Sequence, residues 1–439
     1  MPANIQAFRS SLLHFTADPA ASPDAHHWHQ DGLLVVEGGK VKAAGDYAAL
    51  HPTLPPDTPV TDYRGKLITP GFIDTHIHYP QTDMIASPAP GLLPWLDNFT
   101  FPTERRFEDP AHAAAVAEFF LDELLRNGTT TALVYCTVHP QSVDAFFDAS
   151  SKRGLRMAAG KVLMDRHCPD FLQDCAETGG RDSEALIRRW HGKARQLYAL
   201  TPRFAPTSTE AQLQVAGELA RAYPDVYVQS HVSENQDECR WAMDLFPGAR
   251  SYLDVYDRYG LLRPRAVYGH CIWLDDDDRA RMAATGTAAA ICPTSNLFLG
   301  SGLFDFAKAD QAGMLLSLAT DVGAGTSFSM LQTMNEAYKV ARLQGSYLPA
   351  LRMFYLATLG AARSLQLQGT IGNFATGVEA DFIVLDPQAT PLLARRTSHC
   401  NSLEEWLFAL ALLGDDRAVA ASYAQGRLVH ERVAEAAPD

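Results

Sequence analysis

Two histidines, His76 and His78, are separated by a single residue and follow an apolar stretch of the chain. Residues 67–73 are β-prone and contain a Pro-Gly pair, which is typical of a buried strand near a turn. Because side chains alternate between the faces of a strand, both imidazoles point the same way, about 6–7 Å apart along the chain. Two imidazoles placed in this way can bind one cation. An isolated His-x-His pair more often simply ends a strand, but further candidate ligands downstream favour a metal site.

Three such residues, His231, His270 and Asp321, each end or directly follow another apolar, β-prone segment. In barrels of parallel strands, the carboxyl ends of the strands meet at one face, where the active sites lie. Taken singly, each of these histidines is more often a hydrogen-bonded core residue. Together with His76 and His78, they predict a metal-dependent catalytic site.

The elements that would position these residues alternate along most of the chain. Predicted strands end near His78, Tyr135, Val162, Phe204, His231, His270, Ile291 and Ala319. Helical patterns cover residues 110–126, 141–153, 183–197, 209–223, 234–246, 275–284 and 304–312. Eight strands that alternate with these helical patterns predict an α/β fold, namely a (β/α)8 TIM-type barrel with a parallel sheet.

The two ends of the chain are rich in β-prone segments instead. Such segments occur at residues 5–15, 32–44, 377–386 and 418–429. We therefore predict a small composite β-sandwich domain formed by both termini. Its N-terminal part covers residues 1–67, the barrel with the predicted metal site covers residues 68–375, and its C-terminal part covers residues 376–439.

The composition restricts the class of protein. The 439 residues are 47% hydrophobic and 20% charged, as in an ordinary globular enzyme, and the net charge is −14. An acidic surface repels phosphate backbones, so no nucleic acid partner is expected. The seven scattered cysteines form no Cys-x-x-Cys pair, which favours reduced thiols and a cytoplasmic location. Residues 1–16 lack a signal-peptide pattern and no apolar run approaches ~18 residues, so no membrane partner is expected.

Longer motifs surround the candidate residues. In His76-x-His78, His231, His270 and Asp321 the chain resembles the amidohydrolase superfamily, and within it the chain is similar to the guanine deaminase family. The narrower similarity is carried by Pro70–Gln81, Leu93–Asn98, Thr100-Phe101-Pro102-x-Glu104-Arg105, Thr201-Pro202-Arg203-Phe204, Cys292–Asn296 and Thr320–Ser327. The resemblance covers nearly the whole chain.

The resemblance implies a set of metal ligands: His76, His78, His231 and Asp321. In the family such ligands hold one divalent ion, most often Zn²⁺, which activates water to hydroxide. The resemblance also gives Asp321 the role of accepting the proton of this water and His270 that of orienting the hydroxide. Glu234 is implied as the proton shuttle to the ring nitrogen and the leaving amine. The alternative for Glu234 is a carboxylate in the first turn of a helix, stabilised by the helix dipole.

Substrate contacts are implied in the same way. Gln81 would complement the edge of a purine, Arg203 would donate to the ring carbonyl, and Phe204 would supply an apolar face or a backbone contact. His231 and His270 would also adjoin the substrate. From the residues alone, Arg203 could equally form a salt bridge at the barrel rim, and Phe204 could simply pack in the core.

Two further residues have open roles. Trp95 is a candidate lid residue, with an interface or core role equally open. Binuclear relatives use a modified lysine at the end of the fourth strand, where this chain has Arg203. Lys161, near the third strand, is the nearest lysine, and a surface or supporting role is expected for it. One metal ion per chain is therefore predicted.

The implied reaction is hydrolytic deamination of guanine to xanthine and ammonia. The alternative within the same chemistry is another amino-heterocycle, such as 8-oxoguanine, a pterin or a triazine. A third hypothesis is a non-catalytic scaffold, but scaffold relatives have lost ligands that this chain keeps. The family also implies a homodimer.

Overall fold

The computed structural model describes residues 5–22 and 24–433. Its strands are β1 (Ile5–Phe15), β2 (His26–Glu37), β3 (Lys40–Asp46), β4 (Val60–Pro70), β5 (Phe72–His78), β6 (Thr129–Tyr135), β7 (Arg156–Gly160), β8 (Val162–Leu163), β9 (Gln196–Pro202), β10 (Tyr227–Val232), β11 (Ala266–His270), β12 (Ala288–Ile291), β13 (Leu315–Leu318), β14 (Phe382–Leu385), β15 (Val419–Ala424) and β16 (Arg427–Glu431).

The α-helices within the same residues are α1 (Tyr47–Leu50), α2 (Leu92–Trp95), α3 (Phe101–Arg105), α4 (Pro110–Arg126), α5 (Pro140–Arg153), α6 (Ala176–Trp190), α7 (Glu210–Ala222), α8 (Gln236–Leu245), α9 (Tyr252–Asp257), α10 (Asp276–Thr285), α11 (Pro293–Phe298), α12 (Phe306–Gln311), α13 (Met330–Leu343), α14 (Ala350–Leu356), α15 (Leu359–Ser364), α16 (Pro391–Thr397) and α17 (Leu403–Leu413).

Eight parallel strands form the predicted (β/α)8 barrel. Their order is β5-β6-β7-β9-β10-β11-β12-β13, and the short β8 pairs with β9. The loop after β13 closes the barrel, because the Asp321 N–H donates to the His76 carbonyl (3.0 Å) and the His78 N–H to the Val322 carbonyl (2.8 Å). The barrel strands are buried on both faces and are therefore rich in apolar residues. Buried polar residues such as Asp74, His76 and Gln229 interrupt these runs.

The terminal strands form the small composite domain, a seven-stranded sheet in the order β16-β15-β14-β4-β1-β2-β3. β1 runs parallel to β4 and antiparallel to β2. The sheet curls over its own apolar face, since the Phe8 ring lies 4.8 Å from that of Phe382 and 5.0 Å from that of Tyr423. The Val41 N–H donates to the Val378 carbonyl (2.8 Å), which brings β3 back beside the segment before β14.

Every barrel strand ends within two residues of its predicted end, whereas one helix prediction is wrong. The pattern predicts a helix over residues 183–197, but α6 covers Ala176–Trp190. Cys175 and Thr178 form a reciprocal cap that starts the helix earlier. The Gly-Gly pair that follows this cap obscures the helical pattern at the sequence level.

A cover segment, residues 79–109, joins β5 to α4 and contains α2, a π-helical turn over Leu96–Thr100, and α3. Its apolar side chains pack against residues at the carboxyl ends of several barrel strands. This cluster includes Leu92, Trp95, Leu96, Phe101, Tyr135, Val162, Phe204 and Leu299. The cover segment therefore lies over the face where the candidate site residues converge.

Two further predictions can be compared with the structure. All seven cysteines are free thiols. Among residues 5–22 and 24–433, none of the helices combines the length and apolar character needed to cross a bilayer.

Candidate active site

The five residues predicted at strand ends lie together at the carboxyl end of the barrel. His76 and His78 come from β5, His231 from β10, His270 from the end of β11, and Asp321 from the loop after β13. Single potential ligand atoms of His76, His78, His231 and Asp321 all lie within 4.8 Å of one another. Asp321 Oδ1 is 3.3 Å from both His76 Nε2 and His78 Nε2, and His231 Nε2 is 3.2 Å from His78 Nε2.

This donor set fits a divalent ion such as zinc, which binds imidazole nitrogen and carboxylate oxygen in a compact group. His231 Nδ1 donates to the Arg203 carbonyl (2.6 Å), so the lone pair of Nε2 faces the cluster. His76 Nε2 is buried without a hydrogen-bond partner among the described residues. A cation shared by these atoms would satisfy lone pairs that otherwise face one another.

Burial keeps the imidazoles of the cluster neutral. It lowers the pKa of His78 to about 3 and also lowers the pKa values of His76 and His231. Burial alone would raise the pKa of Asp321, but the close approach of the His76 and His78 imidazoles holds it well below its usual value. Neutral imidazole and ionised carboxylate are the forms that bind a metal.

His270 adjoins the cluster from the end of β11, the strand next to β10. Its Nδ1 donates to Asn296 Oδ1 (2.8 Å), which leaves its Nε2 3.4 Å from Glu234 Oε2 and 3.8 Å from Asp321 Oδ2. Asn296 lies in α11, at the end of the Cys-Pro-Thr-Ser-Asn motif, and its position fixes the tautomer of His270. The sequence motif contained this residue without indicating its role.

Glu234 lies in the turn between β10 and α8, not in the helix. Helix α8 begins at Gln236 with Asn235 as its N-cap, so the interpretation of Glu234 as a first-turn carboxylate is wrong. The residue is 3% exposed, and its Oε1 accepts a hydrogen bond from Ser301 Oγ (3.0 Å). Burial and then the charge of Asp321 raise the pKa of Glu234 to about 8. Glu234 can therefore hold a proton at neutral pH and release it to a nearby base.

A second glutamate, Glu238, binds the backbone of the turn that contains Glu234. Its Oε2 accepts hydrogen bonds from the backbone N–H groups of Glu234 (3.0 Å) and Asn235 (3.1 Å). Its Oε1 accepts from the Tyr252 hydroxyl (2.6 Å). Asn235 and Glu238 form a capping box, a spacing that a search for helix starts would find. Glu238 is not among the residues predicted above from the sequence.

The predicted substrate residues Gln81 and Arg203 are joined by Glu104, which the sequence analysis gave no role. Arg203 Nη1 donates to both Glu104 oxygens, at 2.9 and 2.8 Å, and Gln81 Nε2 donates to Glu104 Oε1 at 3.2 Å. Gln81 Oε1 accepts from the Gly323 N–H (3.1 Å). All three side chains are buried. Arg203 is therefore a buried ion-pair member that borders the cavity, not a salt bridge at an exposed rim.

These residues line one cavity next to the His-Asp cluster. Its walls include Gln81, Arg203, Phe204, His231, Glu234, His270 and Asp321, together with Leu92, Trp95 and Leu96 of the cover segment. Every predicted catalytic and substrate-contact residue borders this cavity. His76 lies in the cluster just described but does not line the cavity. Charged and polar side chains line this cavity beside apolar ones such as Trp95 and Phe204, a combination that suits a flat heterocycle with polar edges.

Backbone conformations around the cluster are unusual. His270, Asp321 and Ser233 have positive φ angles of 71°, 53° and 53°, a region that costs non-glycine residues free energy and is common at functional sites. Asp74 helps to hold this arrangement, because its carboxylate accepts from the His76 N–H (3.2 Å) and also bonds the Thr320 hydroxyl. Burial raises the pKa of Asp74 to about 7.

Two other potential metal ligands are disfavoured. Cys292 belongs to a second, overlapping group of potential ligands, but burial raises the pKa of its thiol well above its usual value, against the thiolate form that binds metal. Lys161 is buried and not at the surface, and its ammonium group donates to Asp174 (2.5 Å) and to the Val162 carbonyl (3.2 Å). It is thus engaged in a structural ion pair.

The fold and this site agree with comparisons to known proteins. Residues 67–429 match the model of the amidohydrolase family, and the chain belongs to that family. The chain is 50% identical to guanine deaminase of Escherichia coli strain K12 over 98% of both chains. The structure of the E. coli guanine deaminase superposes with a TM-score of 0.94, covering 98% of this chain and 99% of that one. A guanine deaminase from C. acetobutylicum with bound guanine superposes with a TM-score of 0.88 at 28% identity, covering 97% and 100%. Within the amidohydrolases, the chain groups with the guanine deaminases.

Proposed function

We propose that this protein hydrolyses guanine to xanthine and ammonia. The observation that carries the proposal is the 50% identity to a guanine deaminase over 98% of both chains. It is supported by the His-Asp cluster beside a buried cavity lined by the residues that the family resemblance implies. Replacing the amino group on C2 of guanine with oxygen from water gives xanthine and ammonia, so the atoms of the reaction balance.

We propose His76, His78, His231 and Asp321 as the ligands of one Zn²⁺. When bound, such an ion supplies hydroxide near neutral pH by lowering the pKa of a coordinated water to around 7. The two oxygens of Asp321 face different partners: Oδ1 faces His76 and His78, and Oδ2 faces His270. One oxygen can thus remain with the ligands while the other accepts a proton from water.

Glu234 is the proposed proton shuttle. Its raised pKa, about 8, lets it arrive protonated and donate to the ring nitrogen beside C2. As a carboxylate it then accepts a proton that comes from the attacking water, and it passes this proton to the leaving amine. His270 Nε2, 3.4 Å from Glu234 and 3.8 Å from Asp321, orients the attacking oxygen between these two carboxylates.

Three further residues that line the cavity would orient the purine: Gln81, Arg203 and Phe204. Arg203 keeps donors for the ring carbonyl while one of its nitrogens holds Glu104. The amide of Gln81 has a fixed orientation, since its nitrogen faces Glu104 and its oxygen faces the Gly323 N–H. The Gln81 amide therefore presents its remaining donor and acceptor capacity to the edge of the purine. Phe204 supplies apolar surface.

The purified protein should release ammonia from guanine but not from adenine or cytosine. Gln81 and Arg203 complement a ring with a carbonyl beside an amino-substituted carbon, and a site built for a polar group can reject analogues that lack it by ~10⁴-fold or more. We would measure ammonia release from a panel of purines, pterins and triazines, including 8-oxoguanine. Turnover of adenine at the rate of guanine would contradict the assigned roles, and preference for a pterin or a triazine would replace guanine as the substrate.

Glu104→Gln should raise the KM for guanine by roughly 10- to 100-fold, with a smaller effect on kcat. The substitution keeps the shape of the side chain but removes the charge that holds Arg203, so the substrate wall loses its alignment while the metal ligands stay in place. Metal content should be unchanged, which would separate this effect from general misfolding. Equal losses in kcat and metal content would show that Glu104 supports the fold and not the substrate.

Three further proposals concern the oligomeric state, the cellular location and the domain bounds. We propose a homodimer because the family resemblance implies one, and sedimentation at several protein concentrations tests this proposal. A cytoplasmic location is proposed from the seven free thiols. The domain bounds at residues 67/68 and 375/376 remain a prediction, testable by limited proteolysis. Residues 1–4, 23 and 434–439 of the predicted terminal domain lie outside the described residues.

A further inference from the structure

Trp95 carries a buried donor without a partner. The residue lies in α2 of the cover segment, is 2% exposed and lines the cavity. Its indole nitrogen forms no hydrogen bond with any described residue. By contrast, the indole N–H of Trp190 donates to Asp144 (2.7 Å) and that of Trp273 to the Ser301 carbonyl (3.0 Å). A buried unpaired donor costs free energy, so its retention beside a ligand cavity points to a partner on the ligand.

We infer that the indole N–H of Trp95 donates a hydrogen bond to N7 of the bound purine, an inference that rests on the proposed function. Guanine offers three acceptors: N3, the C6 carbonyl oxygen and N7. N3 is bonded to the reacting carbon and therefore faces Glu234, while the carbonyl oxygen faces Arg203. N7 is the acceptor that remains.

The placement of the cover segment agrees with this assignment. The reacting carbon must lie against the His-Asp cluster at the strand ends, so the five-membered ring, which carries N7, points away from the cluster. Trp95 belongs to the segment that covers this face and packs in one cluster with Phe204 and Leu299. The same segment supplies Glu104, so one stretch of chain both aligns the six-membered ring and recognises the five-membered ring. Triazines have no five-membered ring and would not make this contact.

The experiment compares Trp95→Phe with the wild type, using guanine and 7-deazaguanine as competing ligands of the site. Phenylalanine keeps an aromatic ring but lacks the N–H, and 7-deazaguanine replaces N7 with a carbon that accepts no hydrogen bond. The wild type should bind guanine roughly tenfold more tightly than 7-deazaguanine, the ratio that one neutral hydrogen bond provides. In Trp95→Phe this preference should disappear, because only guanine binding weakens. Trp28→Phe, in the terminal sheet, is the matched control and should keep the wild-type preference.

Two results would overturn the inference. Equal affinity of the wild type for the two ligands would do so by itself, whether or not the variant folds. An equal loss of affinity for both ligands in Trp95→Phe would show that the ring packs against the substrate without donating to N7. A failure of the proposed function is distinguishable from either result, since the wild type would then release no ammonia from guanine at all.

Discussion

His78→Ala should lose most of its bound metal and lower kcat/KM for guanine by more than about a thousandfold. The same result is expected for His76→Ala and His231→Ala, because each removes one nitrogen from a cluster whose ligand atoms lie within 4.8 Å of one another. The barrel should still fold, since its core is built from apolar side chains of all eight strands. Elemental analysis for zinc, with guanine turnover and circular dichroism, measures all three outcomes.

His399→Ala is a suitable control, because His399 is exposed and forms hydrogen bonds only within its own region of the chain. It should keep one ion per chain and normal turnover. Full metal content in two of the three ligand variants would refute the proposed ligand set. Two ions per wild-type chain would instead revive a binuclear centre, for which Lys161, now paired with Asp174, would have to be released.

The part of the fold that could be predicted is the part encoded locally. Barrel strands are buried on both faces, so the sequence shows them as apolar runs, and their ends could be placed within two residues. Helix α4 was placed correctly at residues 110–126 because its apolar residues repeat with helical spacing. The start of α6 was missed because it depends on the Cys175–Thr178 cap, which two glycines follow.

The same distinction applies to the candidate site: local sequence predicts some of its residues, whereas contacts between distant elements could not be predicted. His76, His78, His231, His270 and Asp321 could be selected from residue type and position at strand ends, and the structure brings them together. Glu104 could not be given a role in this way, since its partner Arg203 lies 99 residues further along the chain. The bond from Asn296 to His270 and that from Ser301 to Glu234 likewise depend on loops whose paths the sequence pattern does not specify. Spacing rules describe contacts along one element, whereas these contacts join different elements.

Glu234→Gln should retain its metal and bind xanthine, while its turnover of guanine falls by ~10²–10⁴-fold, the usual contribution of a positioned general acid–base group. Glutamine keeps the size of the side chain and can still pair with Ser301, but it cannot carry a proton between water, ring nitrogen and amine. The loss should appear mainly in kcat, with a modest change in KM, as expected for a group that acts in the transition state. Near-normal turnover with full metal content would exclude Glu234 as the proton shuttle.

Stability of the same variant provides an independent measurement. The pKa of Glu234 rises from 4.5 to about 8 on burial in the folded chain, so between these values the folded state holds a proton that the unfolded state releases. The carboxyl group therefore destabilises the metal-free wild type progressively as pH rises from 4.5 to 8, by up to about 1.4 kcal/mol per pH unit. Metal-free Glu234→Gln should accordingly be more stable than the wild type, with a larger difference in unfolding free energy at pH 8 than at pH 5. A carboxylate that served only to stabilise a helix end would give the opposite sign, a loss of ~0.3–1 kcal/mol. Gain in stability together with loss of turnover would identify Glu234 as a residue kept for chemistry at a cost to the fold.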